Sequence, residues 1–198
     1  PSKAFEIHTP FAHDGVPIDD SFAVPSSEAN DEFMTLYSAG WDDFKEGTFL
    51  GEWGASQEWN FPIASSLTPD FNNIDSTVLW RYVVNITKKT VERTAAPGCE
   101  NLCIDHPHVN PLYEGKRACR FVYASLSNFR GVSGPPLGYV KIDLKTGERK
   151  VWWAGNRTFC EEIVVVPKEN ATNEDDVWLL GMFSSHQEDF PDGQSGLF

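Results

Sequence analysis

The sequence has no long apolar run and comparatively few basic residues. Its longest apolar stretches, residues 163–167 and 177–183, fall far short of the roughly 20 residues that a membrane-spanning helix requires. Lysine and arginine number 16 against 29 aspartate and glutamate residues, which gives a formal net charge of −13. Such a charge repels phosphate backbones and leaves no basic stripe to neutralise them. These absences exclude a membrane-spanning helix and argue against a nucleic-acid partner.

The chain also lacks the cysteine spacing and the start of a small secreted domain. There is no C-x-x-C pair, and a chain of 198 residues does not depend on disulfides for its stability. Residues 1–5 contain neither an initiator methionine nor a signal-peptide pattern, so we expect the chain to be part of a longer polypeptide. An intracellular location, plastid or cytoplasm, is favoured over secretion. We predict buried or free thiols at Cys99, Cys103, Cys119 and Cys160.

Several common catalytic and binding motifs are missing as well. No G-x-S-x-G sequence, no phosphate-binding glycine loop and no EF-hand spacing occurs. What the chain does have is a 40% hydrophobic composition with 7 tryptophans and 14 phenylalanines, which can supply the core of a folded domain. Disorder is therefore not expected.

Short alternating segments separated by turn signals predict antiparallel strands. One hairpin turns at Gly147, where glycine tolerates a positive φ. Regularly spaced strands of this kind indicate an all-β barrel, sandwich or propeller, and we favour the propeller. The predicted strands cover residues 78–84, 90–94, 121–124, 138–144, 149–153, 163–167 and 177–182.

The region from residue 19 to residue 75 differs from the rest, because it is acidic and rich in serine, asparagine and proline. We interpret it as a long loop or insertion between elements. One short helix is predicted at residues 29–38, where Phe33, Leu36 and Tyr37 have helical spacing and Gly40 follows as a stop signal.

The histidines are the natural candidates for a metal or a base. His8 lies in a strand-like segment, where alternation would place Glu6 and His8 on one face and bury Ile7 on the other. His106 and His108 form an H-x-H pair similar to the metal pair of cupin barrels, although Pro107 between them favours an edge or a bulge. His186 lies in a polar loop and is expected to be solvated.

Several motifs, taken in order, resemble the carotenoid cleavage oxygenases, a family that includes the retinoid isomerase of the eye. They are IDHPHVNP at residues 104–111, FVYA at 121–124, KIDLKTGE at 141–148, EIVVVP at 162–167 and EDDVWLLGM at 174–182. Upstream, FEIHTPFAHDG at residues 5–15 is similar to the family segment that carries the third of four iron-binding histidines. The match is best over residues 78–183.

The resemblance implies an all-β fold made of several four-stranded blades of a seven-bladed propeller, with Fe(II) on its axis. Residues 1–198 would then form part of a carotenoid oxygenase domain. His8 would be an iron ligand, and Asp105 would replace the family glutamate that accepts a hydrogen bond from a ligand ring. Asp105 is one methylene shorter, so its reach to the imidazole is in question. His13 falls at a position where a loop residue is expected.

The resemblance also implies an activity: oxidative cleavage of a conjugated double bond in a carotenoid or apocarotenoid, with O₂ as the second substrate. Two iron-binding histidines are expected before residue 1 and one after residue 198, so this chain alone should bind iron poorly and be inactive. Peripheral membrane contact through other parts is compatible with an apolar polyene substrate. The alternatives are a polyene isomerohydrolase, a stilbene-cleaving oxygenase and an inactive propeller binding module. No catalytic residue beyond the metal site is predicted, and the substrate-binding residues stay unassigned.

Overall fold

The computed structural model describes residues 5–42, 76–129, 133–185 and 196–197. Within this part, antiparallel strands dominate, one turn of 3-10 helix occupies Ser26–Glu28, and no α-helix is present. The strands are β1 Phe5–Asp14, β2 Phe33–Trp41, β3 Val78–Asn85, β4 Thr90–Ala95, β5 Cys103–His108, β6 Phe121–Asn128, β7 Gly138–Asp143, β8 Arg149–Trp153, β9 Thr158–Pro167, β10 Val177–Ser185 and β11 Gly196–Leu197.

The strands form three sheets, each built from neighbours in the sequence. The first sheet has the order β1-β2-β3-β4, the second β5-β6-β7-β8, and the third contains β9, β10 and β11 in that order. The first strands of the three sheets lie side by side, since β1 contacts β5 and β5 contacts β9. Meandering sheets that meet along their first strands are consecutive blades of a β-propeller. The predicted fold class is confirmed.

Two apolar cores fill the spaces between neighbouring sheets. The core between the first and second sheets includes Tyr37, Leu79 and Ile104, all fully buried. The core between the second and third sheets is smaller and includes Tyr123 and Ile163. Along β3 every second side chain is buried, which is the period expected of a strand with one face in a core. This stacking fixes where the three first strands lie.

The strand predictions agree with the structure, but the predicted helix at residues 29–38 is wrong. Residues 33–41 form β2, which pairs with β1 on one side and with β3 on the other. The apolar side chains of Phe33, Leu36 and Tyr37 fit a helix period over one turn only, and pairing on both sides of β2 overrides that local signal. Residues 43–75 of the predicted loop region lie outside the described residues.

The four cysteines and the hairpin turn at Gly147 are as the sequence predicts. All four cysteines are buried and free, as predicted. Gly147 has a φ of +74° in its hairpin turn, and its backbone packs against Gly98 so closely that a Cβ on Gly98 would lie 2.3 Å from the Gly147 carbonyl oxygen. In the described residues, none of the helical structure is long and apolar enough to cross a membrane.

Candidate metal centre

The candidate site lies where the first strands of the three sheets meet. A cavity of about 330 Å³ opens between β1, β5 and β9, which is within the roughly 300–1,000 Å³ of small-molecule sites. Apolar side chains form part of its wall, among them Pro10, Val109 and Val164. The polar side chains that line it include His8, His106, His108 and Glu162.

His8 on β1 is paired with Asp105 on β5 across the boundary between the first two sheets. Its Nδ1 lies 2.7 Å from Asp105 Oδ1, and the two side chains are 41% and 29% exposed. Because an ionised carboxylate can only accept, Nδ1–H donates this bond and Nε2 keeps its lone pair. Among the described residues, Nε2 of His8 has no hydrogen-bond partner. The carboxylate therefore orients the ring and leaves one nitrogen available to bind a metal.

Asp105 reaches His8 although its side chain is short. The pairing of β5 with β6 shifts register between Asp105 and His108, and His106 has a φ of +47°. The backbone N–H of His106 donates to Asp105 Oδ1 at 2.8 Å, so this oxygen accepts two hydrogen bonds. Successive side chains of a regular strand point to opposite faces. At this bulge, however, the ring of His106 also lies near His8, with 4.9 Å between ring centroids.

The predicted placement of Glu6 beside His8 is wrong. Glu6 accepts a hydrogen bond from the hydroxyl of Tyr82, which belongs to the same sheet, whereas His8 contacts Asp105 in the next sheet. The pairing of β1 with β2 shifts register between Glu6 and His8. This bulge inserts a residue and breaks the alternation on which the prediction depended.

The two histidines of the H-x-H pair contact different residues. His106 packs against His8, while Nε2 of His108 lies 2.9 Å from Oε1 of Glu162 on β9. The two rings are therefore not arranged as a cupin metal pair, and the sheets form propeller blades rather than a cupin barrel. Sequence reasoning assigned no role to Glu162, because the contact depends on how the second and third sheets pack.

His13 is not part of the site. His13 lies on β1 with 4% of its surface exposed, so the expected loop position is wrong. Burial lowers the pKa of His13, and its Nδ1 contacts the Asp14 carbonyl oxygen at 2.9 Å. His186 lies outside the described residues.

The donor set fits a transition metal that accepts nitrogen ligands. His8, Asp105 and His106 can each offer one ligand atom, and these atoms lie within 4.8 Å of one another. Neutral imidazole suits Fe(II), and metal-binding histidines almost always donate their second ring N–H to a carboxylate, carbonyl or water. The His8–Asp105 pair has this arrangement. Iron as the bound metal and the roles of His8 and Asp105 remain predictions.

Comparison with known proteins identifies relatives for this chain. The sequence profile of the retinal pigment epithelial membrane protein family matches residues 26–197. A curated relative, apocarotenoid-15,15'-oxygenase from Synechocystis, is 30% identical over 111 residues, which are 56% of this chain and 22% of that enzyme. The chain therefore spans about a fifth of the length of this relative.

Solved structures give the same fold. The cobalt-substituted apocarotenoid oxygenase of Synechocystis superposes with a TM-score of 0.67 and 22% identity over 91% of this chain and 31% of that structure. A chimera of that oxygenase with the retinal pigment epithelial membrane protein gives a TM-score of 0.67 at 21% identity, with the same coverage of both chains. The family profile, the curated relative and the shared fold agree, and the chain belongs to the retinal pigment epithelial membrane protein family, which includes the apocarotenoid oxygenases.

Proposed function

We propose that the protein containing this chain uses non-haem Fe(II) and O₂ to cleave a conjugated double bond of a carotenoid or apocarotenoid. The observation that carries the proposal is the His8–Asp105 pair on the first strands of two neighbouring blades, in a chain of this family. A relative named for apocarotenoid oxygenation supports the substrate class.

In this proposal His8 binds the iron through Nε2, and Asp105 holds the ring by accepting from Nδ1–H at 2.7 Å. The carboxylate also offsets part of the positive charge of the metal. When bound, the iron supplies the activation of O₂ that no amino-acid side chain provides. Because the ring of His8 is already held in place, its Nε2 lone pair needs no reorientation before the metal binds.

The apolar part of the cavity wall suits a hydrocarbon substrate. Pro10, Val109 and Val164 offer surface against which a polyene can pack and from which water is displaced. Because the chain spans 31% of the solved relatives, we expect the rest of the iron site to come from sequence outside residues 1–198. On its own, this chain should bind iron weakly and should not turn over substrate.

The test compares two histidines of the same cavity in the protein expressed with all flanking sequence of its gene. We expect the wild type to contain about one iron per chain and His8→Ala to lose it, because one of the predicted ligands is gone. His108→Ala is the matched control and should retain iron, since its Nε2 faces Glu162. Iron is measured by elemental analysis.

Activity is measured in parallel as the O₂-dependent formation of aldehyde or ketone products from an apocarotenoid. Retention of iron by His8→Ala together with its loss from His108→Ala would contradict the assignment of the metal ligand. A wild-type protein that binds no iron and forms no product with any polyene or stilbene would support a binding module without catalysis instead.

A further inference from the structure

His106 occupies an unusual backbone conformation beside the candidate metal ligand. A φ of +47° lies in the left-handed region, which few residues other than glycine adopt. This conformation accompanies the bulge that turns His106 toward the cavity, where its ring lies 4.9 Å from that of His8. The family resemblance assigns no role to this imidazole, and the proposed iron site uses His8 and Asp105 without it, although His106 can also offer a ligand atom.

The hydrogen bonds around His106 indicate which ring nitrogen carries the proton. Ser125 donates its hydroxyl proton to the Asp105 carbonyl oxygen at 2.8 Å. The contact of 3.4 Å between Ser125 Oγ and His106 Nδ1 therefore requires Nδ1–H as the donor, because Ser125 has no second proton. In this neutral tautomer, Nε2 of His106 is a hydrogen-bond acceptor. Among the described residues it has no partner.

An unpaired acceptor in a partly apolar cavity discriminates between ligands. When a substrate fills the cavity and displaces water, Nε2 loses its solvation unless the substrate offers a donor. A hydroxyl group is such a donor, whereas a hydrocarbon, an ether or a carbonyl is not. Sites with a buried polar group reject analogues that leave the group unpaired.

We propose that His106 is a specificity-determining residue that accepts a hydrogen bond from a substrate hydroxyl located close to the double bond that is cleaved. This inference rests on the proposed function and narrows its substrate class to hydroxylated conjugated alkenes. A hydroxystilbene carries this chemistry, and so does an apocarotenoid alcohol that is cleaved at the double bond next to its hydroxyl-bearing carbon. The proximity of His106 to His8 places the hydroxyl near the metal rather than at the far end of a long polyene.

The experiment measures kcat/KM for two substrate pairs with the protein that carries its flanking sequence. One pair is an apocarotenoid alcohol and its deoxygenated hydrocarbon; the other is 4-hydroxystilbene and stilbene. The wild type should prefer the hydroxylated member of at least one pair. In His106→Phe we expect kcat/KM for that member to fall about tenfold, as for a lost hydrogen bond, while the hydrocarbon is cleaved as before or faster.

Two variants separate this role from a structural one. His106→Asn keeps a polar side chain that tolerates positive φ, and it should retain part of the preference if the backbone is intact. His108→Phe makes the same exchange at a cavity histidine that is already paired with Glu162, and it should not change the preference. Iron content is measured for every variant.

The measurements separate a failure of the His106 specificity role from a failure of the proposed function. If the wild type cleaves both members of each pair equally, or if His106→Phe lowers both rates in proportion, the hydroxyl contact is refuted while the oxygenase activity stands. If His106→Phe loses its iron as His8→Ala does, His106 is a metal ligand and the specificity role is overturned. If no conjugated alkene is cleaved, the proposed function itself fails.

Discussion

The two junctions between neighbouring sheets are built on one plan but differ in how firmly they hold a histidine. Each has an apolar core and, at the inner edge, a histidine–carboxylate pair: His8 with Asp105 at the first junction and His108 with Glu162 at the second. The distances are similar, 2.7 and 2.9 Å. At the first junction, however, the carboxylate oxygen is also fixed by a backbone N–H, whereas Glu162 is 58% exposed.

The difference concerns which ring nitrogen is left available and how rigidly the ring is held. His8 is held through Nδ1, and its Nε2 is available in the cavity. His108 uses Nε2 for its carboxylate, in a pair exposed to solvent, and such pairs contribute little to stability. A histidine–carboxylate distance alone therefore does not identify a metal ligand. The second hydrogen bond to the carboxylate distinguishes the first junction from the second.

Truncating a side chain in each apolar core should give the largest difference in stability between the two junctions. Ile104→Ala creates a cavity in the larger core of the first junction, and we expect a loss of about 4 kcal/mol in the free energy of unfolding. Ile163→Ala at the second junction should cost about 2–3 kcal/mol, since its cluster is smaller and relaxes more readily. Urea unfolding followed by tryptophan fluorescence measures both. Equal losses would show that the size of the core does not distinguish the junctions.

Substitution of the carboxylate at the first junction should lower the affinity for iron, whereas substitution at the second should not. In Asp105→Asn a neutral amide oxygen replaces the carboxylate that accepts the hydrogen bond from the Nδ1–H of His8. We expect iron affinity to fall about 10–100-fold. Asp105→Glu keeps the charge and should change affinity less, because the bulge adapts to one extra methylene. His108→Gln is the control and should leave affinity unchanged. Competition with a chelator measures the affinities; an Asp105→Asn protein that binds iron like the wild type would contradict the role of this carboxylate.

The pH dependence of stability should give the smallest effect. Burial raises the pKa of Asp143 in the second sheet, but hydrogen bonds from Arg120, Thr146 and the Lys145 backbone outweigh it and lower the pKa to about 2. Because the folded pKa lies below the unfolded value of about 3.9, the stabilisation is present above that value and is lost as pH falls toward 2. Asp143→Asn should therefore flatten the acid limb of the stability curve.

The pKa of Glu174 is shifted in the opposite direction, so its contribution to stability has the opposite dependence on pH. It accepts hydrogen bonds from the backbone N–H groups of Arg120 and Phe121, yet burial outweighs them and raises its pKa. The native state thus holds this proton more tightly than the unfolded chain, so this contribution to stability declines as pH rises through the raised pKa. Unfolding midpoints measured from pH 2 to pH 7 in Asp143→Asn and in a Glu174→Gln variant should change the slope in opposite directions. Parallel changes would contradict the two assignments.

The sequence by itself determined the fold class and most strands, because alternation and turn residues are local signals that pairing then reinforces. Ordered motifs also singled out His8 and Asp105. The region of β2 could not be predicted in the same way, since its helical spacing is overridden by pairing with β1 and β3. A short apolar run does not distinguish a helix from a strand that is paired on both sides.

Only the tertiary structure decided which polar side chains share the cavity. Strict alternation would place Glu6 with His8 and keep His106 away from Asp105, but bulges in β1 and β5 reverse both expectations. The contact of Asp105 with His8 also depends on how two sheets pack, and their residues are 97 positions apart in the chain. Bulge positions and packing distances arise from contacts between distant segments, so no local pattern encodes them.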